Sequence, residues 1–186
     1  MKNVLMAISG PSGVGKGTIV KKLLAERKDI ALSISCTTRE PRKGEKDGRE
    51  YFFLTREEFL KKAKEGEFLE YDEHFGNLYG TPKSFVKERL KEKSVLLEID
   101  VVGALNAKRE FPDCVLVMVA PPSEEELKKR LSGRNSETEA EIRTRLERLD
   151  FELAQKELYD YVVVNDDLEK ATAQVGNILD LHKNKE

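Results

Sequence analysis

The sequence predicts an α/β fold: a parallel five-stranded sheet flanked by helices, carrying a small mixed α+β insertion and a helical lid. Three observations predict it. Five short apolar runs (Val4 to Ile8, Ile30 to Ile34, Val95 to Ile99, Cys114 to Val119, Tyr161 to Val164) are nearly continuous and rich in β-branched residues. That is the pattern of strands buried on both faces. Charged segments with helical spacing separate most of them, and such alternation closes as a parallel sheet with right-handed crossovers. The stretch from Cys36 to Gly80 breaks the alternation and is the insertion.

Each element has its own signal. The first run enters a glycine loop, followed by a helix with Ile19, Val20, Leu23 and Leu24 on one face. The insertion opens with the polar loop Thr37 to Gly44, then a strand from Tyr51 to Leu54. Thr55-Arg56-Glu57-Glu58 reads as a capping box before a short helix. Phe68-Leu69-Glu70-Tyr71 and the Gly76-Asn77 turn signal predict an antiparallel hairpin. Thr81-Pro82 places an N-cap before a proline at the first helical position. Ser123-Glu124-Glu125-Glu126 and Thr138-Glu139-Ala140-Glu141 are further capping boxes, ahead of Leu127 and Leu131 and of Ile142, Leu146, Leu149 and Leu153. The helix from Thr138 is expected to run past Gln155, and the polar tail after Asp180 to fray. The expected division is a core of residues 1–35, 82–125 and 155–186, an insertion of 36–81 and a lid of about 126–154.

Composition narrows the class. A chain of 186 residues suits one domain. Charged residues reach 37% while net charge is only −2, which indicates solvated helices and excludes a basic nucleic-acid coat. No apolar stretch approaches the ~20 residues of a membrane span. Cys36 and Cys114 are too few for a disulfide framework and read as reduced thiols in a cytoplasmic protein. The expectation is therefore no nucleic-acid partner and no membrane, with monomer and homodimer both open.

Chemistry concentrates first in Gly10-Pro11-Ser12-Gly13-Val14-Gly15-Lys16-Gly17-Thr18. It follows an apolar strand and opens an amphipathic helix, the context of a P-loop. Glycines let successive N–H groups and the helix N-terminus form an anion nest, and Lys16 neutralises outer phosphates of a nucleoside triphosphate. A Ser or Thr normally follows the lysine and binds magnesium directly. Here Gly17 stands there and the hydroxyl comes from Thr18, which points to Mg²⁺ contact through water.

The insertion supplies a second anion site. Arg39 and Arg42, separated by Glu40-Pro41, form a candidate bidentate clamp for a monophosphate. Tyr51 and Tyr79 add phenolic donors. Glu70 accepts only, so it suits guanine's N1–H and N2 amino group and rejects adenine.

Taken together these segments resemble the guanylate kinases. The residues that carry the resemblance are Ser9 to Thr18, Ser35 to Glu45, Gly48 to Phe53, Gly76 to Thr81, Ile99-Asp100, Ala120 to Ser123 and Val164 to Asp167. The resemblance implies a P-loop NTP-hydrolase-like fold and reversible transfer of the ATP γ-phosphoryl group to GMP. It implies that Ser35, Glu70 and Thr81 recognise guanine, and that Arg39, Arg42, Tyr51 and Tyr79 bind its phosphate. Asp100 would lie near guanine and the metal. Arg134 and Arg145 would reach the transferring phosphates, Arg130 would lie near the ATP base and Asn165 beside the adenine.

Ser132-Gly133-Arg134-Asn135-Ser136 is a polar turn between two helices, the kind of segment that forms a lid. Arg143 and Arg148 read as surface charges, and His74 and His182 lack metal-ligand spacing. Glu98 reads equally as a carboxylate near the metal and as a buried acid held by backbone donors. Two alternatives remain: a kinase of different base choice, which Glu70 opposes, and a catalytically inactive protein-interaction module, which the intact loop and lid arginines oppose.

Overall fold

A computed structural model describes residues 2–74, 76–123, 125–127 and 149–185, without the side chain of His74. In chain order its elements begin with β1 (Leu5–Ser9), α1 (Lys16–Glu26), β2 (Ile30–Leu32), β3 (Cys36–Thr37), β4 (Phe52–Phe53), α2 (Arg56–Lys64), β5 (Phe68–His74) and β6 (Asn77–Pro82). They continue with α3 (Lys83–Glu92), β7 (Ser94–Glu98), α4 (Val101–Glu110), β8 (Val115–Ala120), a 3₁₀ turn at Gln155–Leu158, β9 (Tyr161–Val164) and α5 (Leu168–Lys183).

The larger sheet has five strands in the order β2-β7-β1-β8-β9, and each neighbouring pair is parallel. Side chains alternate faces along each strand. Met6 and Ile8 therefore join Ile19, Val20 and Leu23 of α1 and Ala171, Val175 and Leu179 of α5. Leu5 and Ala7 join Val86 of α3 and Val101, Ala104 and Ala107 of α4 on the opposite face. Both faces are buried, which is why the strands read as unbroken apolar runs.

Residues of the insertion form a second sheet in the order β4-β3-β6-β5. β5 and β6 form the expected antiparallel hairpin, but β3 and β4 pair in parallel. A parallel pair needs a long crossover, and residues 38–51 provide it. Phe59 packs among Cys36, Phe68 and Leu78 beneath this sheet, its ring stacked on Phe68 at 4.4 Å.

Several boundaries differ from the expectation. The Thr55 capping box forms in full. Pro82, however, is itself the N-cap of α3. The Thr81 hydroxyl, freed from capping, donates to Glu70 Oε1 at 2.6 Å. Ser123 Oγ accepts from Glu126 N at 3.1 Å. The Thr138 box, Leu131, Ile142 and Leu146 lie outside the described residues. The α-helical residues from 149 give way at Gln155 to the 3₁₀ turn, so the α-helix does not continue past it. The tail does not fray at Asp180: α5 runs to Lys183, which pairs with Asp29. Arg27 bridges Asp29 and Asp180, both at 2.7 Å, and ties the helix to the turn before β2. Cys36 and Cys114 are free and buried, and burial pushes their thiols up to about 11 and about 12. Among the described residues no helix is long and apolar enough to cross a membrane.

Phe59→Ala is expected to cost about 3–5 kcal/mol. Hydrogen exchange checks it: protection falls in β5 and β6, while β1 keeps the parent's protection.

Candidate active site

Parallel strands end on one side of the sheet, and polar groups collect there. Residues 10–15 carry the chain from β1 to the first turn of α1. Gly10 has a φ of +133°, and a Cβ there would lie 2.1 Å from the Val119 carbonyl oxygen, so only glycine lets the loop pass β8. Lys16 folds back and donates through Nζ to the Gly10 and Pro11 carbonyls. Ser9 and Tyr159 share a buried hydrogen bond at the start of the loop. In front of the loop is a depression of about 350 Å³ lined by Ser12, Gly13, Gly15, Lys16, Gly17, Thr18, Lys21 and Glu98. Backbone N–H groups, a helix N-terminus and two lysines make this an anion site.

A second depression, of about 200 Å³, is lined by Lys16, Ser35, Tyr51, Glu70, Asp72, Tyr79, Gly80, Glu98, Ile99 and Asp100. Lys16 and Glu98 border both depressions. The hairpin register sets Glu70 opposite Thr81, which explains the 2.6 Å bond between them. Ser35 Oγ stands 3.5 Å from Thr81 Oγ1. Glu70 is 9% exposed. Burial raises its carboxyl to about 7; Asp100 and Asp72 add to the shift and the Thr81 hydroxyl opposes it. Asp100 caps α4 by accepting from Gly103 N at 2.7 Å.

The two-arginine clamp is only half assembled. Arg39 is half-buried, with its Cζ 5.5 Å from the Tyr51 ring centre. The Tyr51 and Tyr79 rings meet edge to face, their centres 5.9 Å apart. Arg39 donates through Nη2 to both Glu45 carboxylate oxygens at 3.0 Å, because a half-buried guanidinium needs a nearby counter-charge. Arg42 is exposed, and its backbone N–H donates to the same carboxylate at 2.8 Å. Glu45 was not assigned a role from the sequence. Its three-residue spacing from Arg42 is the available signal, and only folding shows which arginine it holds.

Asn165 follows β9 and is buried. Its Nδ2 donates to the Val14 carbonyl at 2.8 Å, so its side chain meets the phosphate loop. Arg130, Arg134, Arg143, Arg145 and Arg148 lie outside the described residues. Thr18 and Glu98 offer hard oxygen donors suited to Mg²⁺. A Cβ on Gly17 would come within 3.0 Å of Glu98 Oε1, so the missing side chain leaves this carboxylate room against the loop. Glu98 is exposed at the end of β7, so the sequence's alternative of a buried acid does not hold; the partial desolvation its carboxyl meets beside the loop raises it, with Lys16 and Lys21 opposing. Among the described residues no cluster of three His, Cys, Asp or Glu side chains forms a metal cage. Mg²⁺ in a nucleotide site needs none, because phosphates and water supply most of its ligands. A larger cavity of about 530 Å³, between the small sheet and α3, contains none of these site residues.

The guanylate kinase family model matches residues 2–182. A guanylate kinase of Clostridium perfringens is 50% identical over 179 residues, covering 96% of this chain and 83% of that protein. One from Thermotoga maritima is 46% identical, covering 96% and 87%. The crystal structure of guanylate kinase from Anaplasma phagocytophilum superposes with a TM-score of 0.78 at 37% identity, covering 99% of this chain and 88% of that one.

Glu70 links stability to pH. An ordinary carboxyl ionises near 4.5 and the folded one near 7. Between those values the folded state holds the extra proton, so stability falls as pH rises and the loss is complete above about 7. Relative to the parent, Glu70→Gln should therefore gain stability on going from pH 4.5 to pH 8, by on the order of 3 kcal/mol. Urea unfolding at the two pH values checks the sign.

Proposed function

The chain belongs to the guanylate kinase family and transfers the γ-phosphoryl group of ATP to GMP, giving ADP and GDP, and we propose that its two adjoining depressions are the donor and acceptor sites. The observation that carries this reading is their common border at Lys16 and Glu98. Nucleotides seated on either side bring an acceptor phosphate oxygen and the γ-phosphorus together there.

Phosphoryl transfer needs positioning and charge neutralisation, and no side-chain nucleophile, because an oxygen of the GMP phosphate attacks. On the acceptor side, ionised Glu70 takes guanine's N1–H and N2–H. Thr81 orients the carboxylate through Oε1, and Ser35 and Asp100 complete the base site. Adenine lacks that donor pair, and Glu70 facing it would stay buried with Thr81 alone in place of guanine's two donors. Arg39, Arg42, Tyr51 and Tyr79 hold the acceptor phosphate. dGMP offers the same base and phosphate and should also serve.

On the donor side, residues Gly10 to Thr18 bind the triphosphate, and Lys16 meets the charge nearest the acceptor. Arg134 and Arg145 are assigned to the transferring phosphates, Arg130 and Asn165 to the ATP site. Thr18 and Glu98 would hold Mg²⁺ through water, and the bound ion would supply charge neutralisation for the triphosphate. We place the reaction in the cytoplasm, a reading supported by two free buried thiols.

With ATP and Mg²⁺, coupled ADP release should follow GMP and dGMP and stay at background with AMP, UMP or no acceptor. Turnover with AMP would overturn the base site. Glu70→Gln should raise the apparent GMP KM by roughly tenfold or more, the effect of about 1–3 kcal/mol. In the parent that KM should fall from pH 6 to 8 as Glu70 ionises near 7; in Glu70→Gln it should stay flat. Lys16→Met should abolish turnover while circular dichroism matches the parent.

A further inference from the structure

We propose that Asn165 is a positioning residue that holds the phosphate loop in its anion-binding shape, and that Gly15 is glycine to leave room for it. The inference rests on reading residues 10–18 as the ATP site, and it departs from the adenine contact that the family resemblance implies for Asn165.

Three observations carry it. Asn165 is anchored to the sheet, since its backbone N–H extends the β8–β9 ladder by donating to the Ala120 carbonyl at 2.9 Å. From that fixed point its Nδ2 donates to the Val14 carbonyl at 2.8 Å, away from solvent. In a trans peptide the C=O and the following N–H point in opposite directions. Drawing the Val14 carbonyl toward Asn165 therefore turns the Gly15 N–H the other way, and Gly15 lines the depression in front of the loop. Released, the same peptide could rotate and face phosphate with an oxygen.

The third observation is steric. Gly15 has a φ of +100°, and a Cβ there would meet Asn165 Nδ2 at 2.5 Å and Cγ at 3.8 Å. The glycine thus answers to a residue 150 positions away as well as to its own backbone angle. At the other end of the loop Gly10 is pressed against Val119. The loop is held at both ends by the strands β8 and β9, so its N–H groups are set before a ligand arrives.

The test separates loop from base. Asn165→Ala should raise the KM for ATP and for ITP by the same factor, roughly tenfold for one buried hydrogen bond. Calorimetric affinity for tripolyphosphate should fall equally, while GMP affinity, read at the other site, stays at the parent's value. Asn165→Asp keeps the volume but sets a second oxygen against the Val14 carbonyl, and should lose more. Gly15→Ala should be less harmful in the Asn165→Ala background than in the parent, because the amide it strikes is gone. A loss confined to ATP, with tripolyphosphate binding kept, would assign Asn165 to the adenine and overturn the brace. So would parallel loss of GMP binding, or strictly additive effects at 15 and 165. The parent's own turnover with ATP tests the donor-site reading independently.

Discussion

Every polar group of the donor site depends on β1 lying between β7 and β8 with all three strands parallel. That pairing sets Ile8 beside Glu98 and Ser9 beside Met118, so the chain leaves β1 at the same edge where β7 and β8 end. β9, paired to β8 up to Val164, delivers Asn165 to that edge too. Apolar burial on both faces makes the pairing rigid, and a rigid edge lets a loop of glycines hold one shape. Lys16, the carboxylate facing Gly17 and the amide on Val14 are placed by this packing.

The acceptor site is built differently. Its groups hang from a small sheet with its own core around Phe59, joined to the main body through β2–β3 on one side and β6–α3 on the other. In the proposed base site stands a carboxylate that burial pushes toward neutrality. The folded protein therefore carries an acid whose charge is costly, and on the proposed reading guanine's two donors would offset that cost. The same burial that lowers stability at neutral pH would, on that reading, penalise a base without those donors. The Thr81 hydroxyl is the partial remedy, and it is available because Pro82, not Thr81, caps α3.

The acid and the lysine belong to different parts of the fold, the small sheet and the main body. Glu70 and Tyr79 sit on the hairpin, while Glu98 ends β7 of the main sheet and Asp100 and Lys16 stand at the N-termini of the helices that follow its strands. They meet around one depression, so on the proposed reading the position of the small sheet would set transfer geometry, since small misplacements of reacting groups have large effects on rate.

The sequence alone determined what local chemistry can determine. Unbroken apolar runs announce parallel strands, because burial on both faces removes any polar alternation. The glycine-lysine loop announces phosphate binding, because its spacing is a local geometry of strand, turn and helix. Arg39, Tyr51, Glu70 and Tyr79 could be named because residue type limits which partner each can accept. Tertiary structure alone decided which of these groups meet. Glu45 takes Arg39 and leaves Arg42 outside, residues 38–51 make β3 and β4 parallel, Pro82 displaces Thr81 from the cap, and Asn165 reaches back to Val14. Each depends on contacts between residues far apart in the chain or on competition for one hydrogen-bond partner, and neither leaves a periodicity or a spacing that can be read in one dimension.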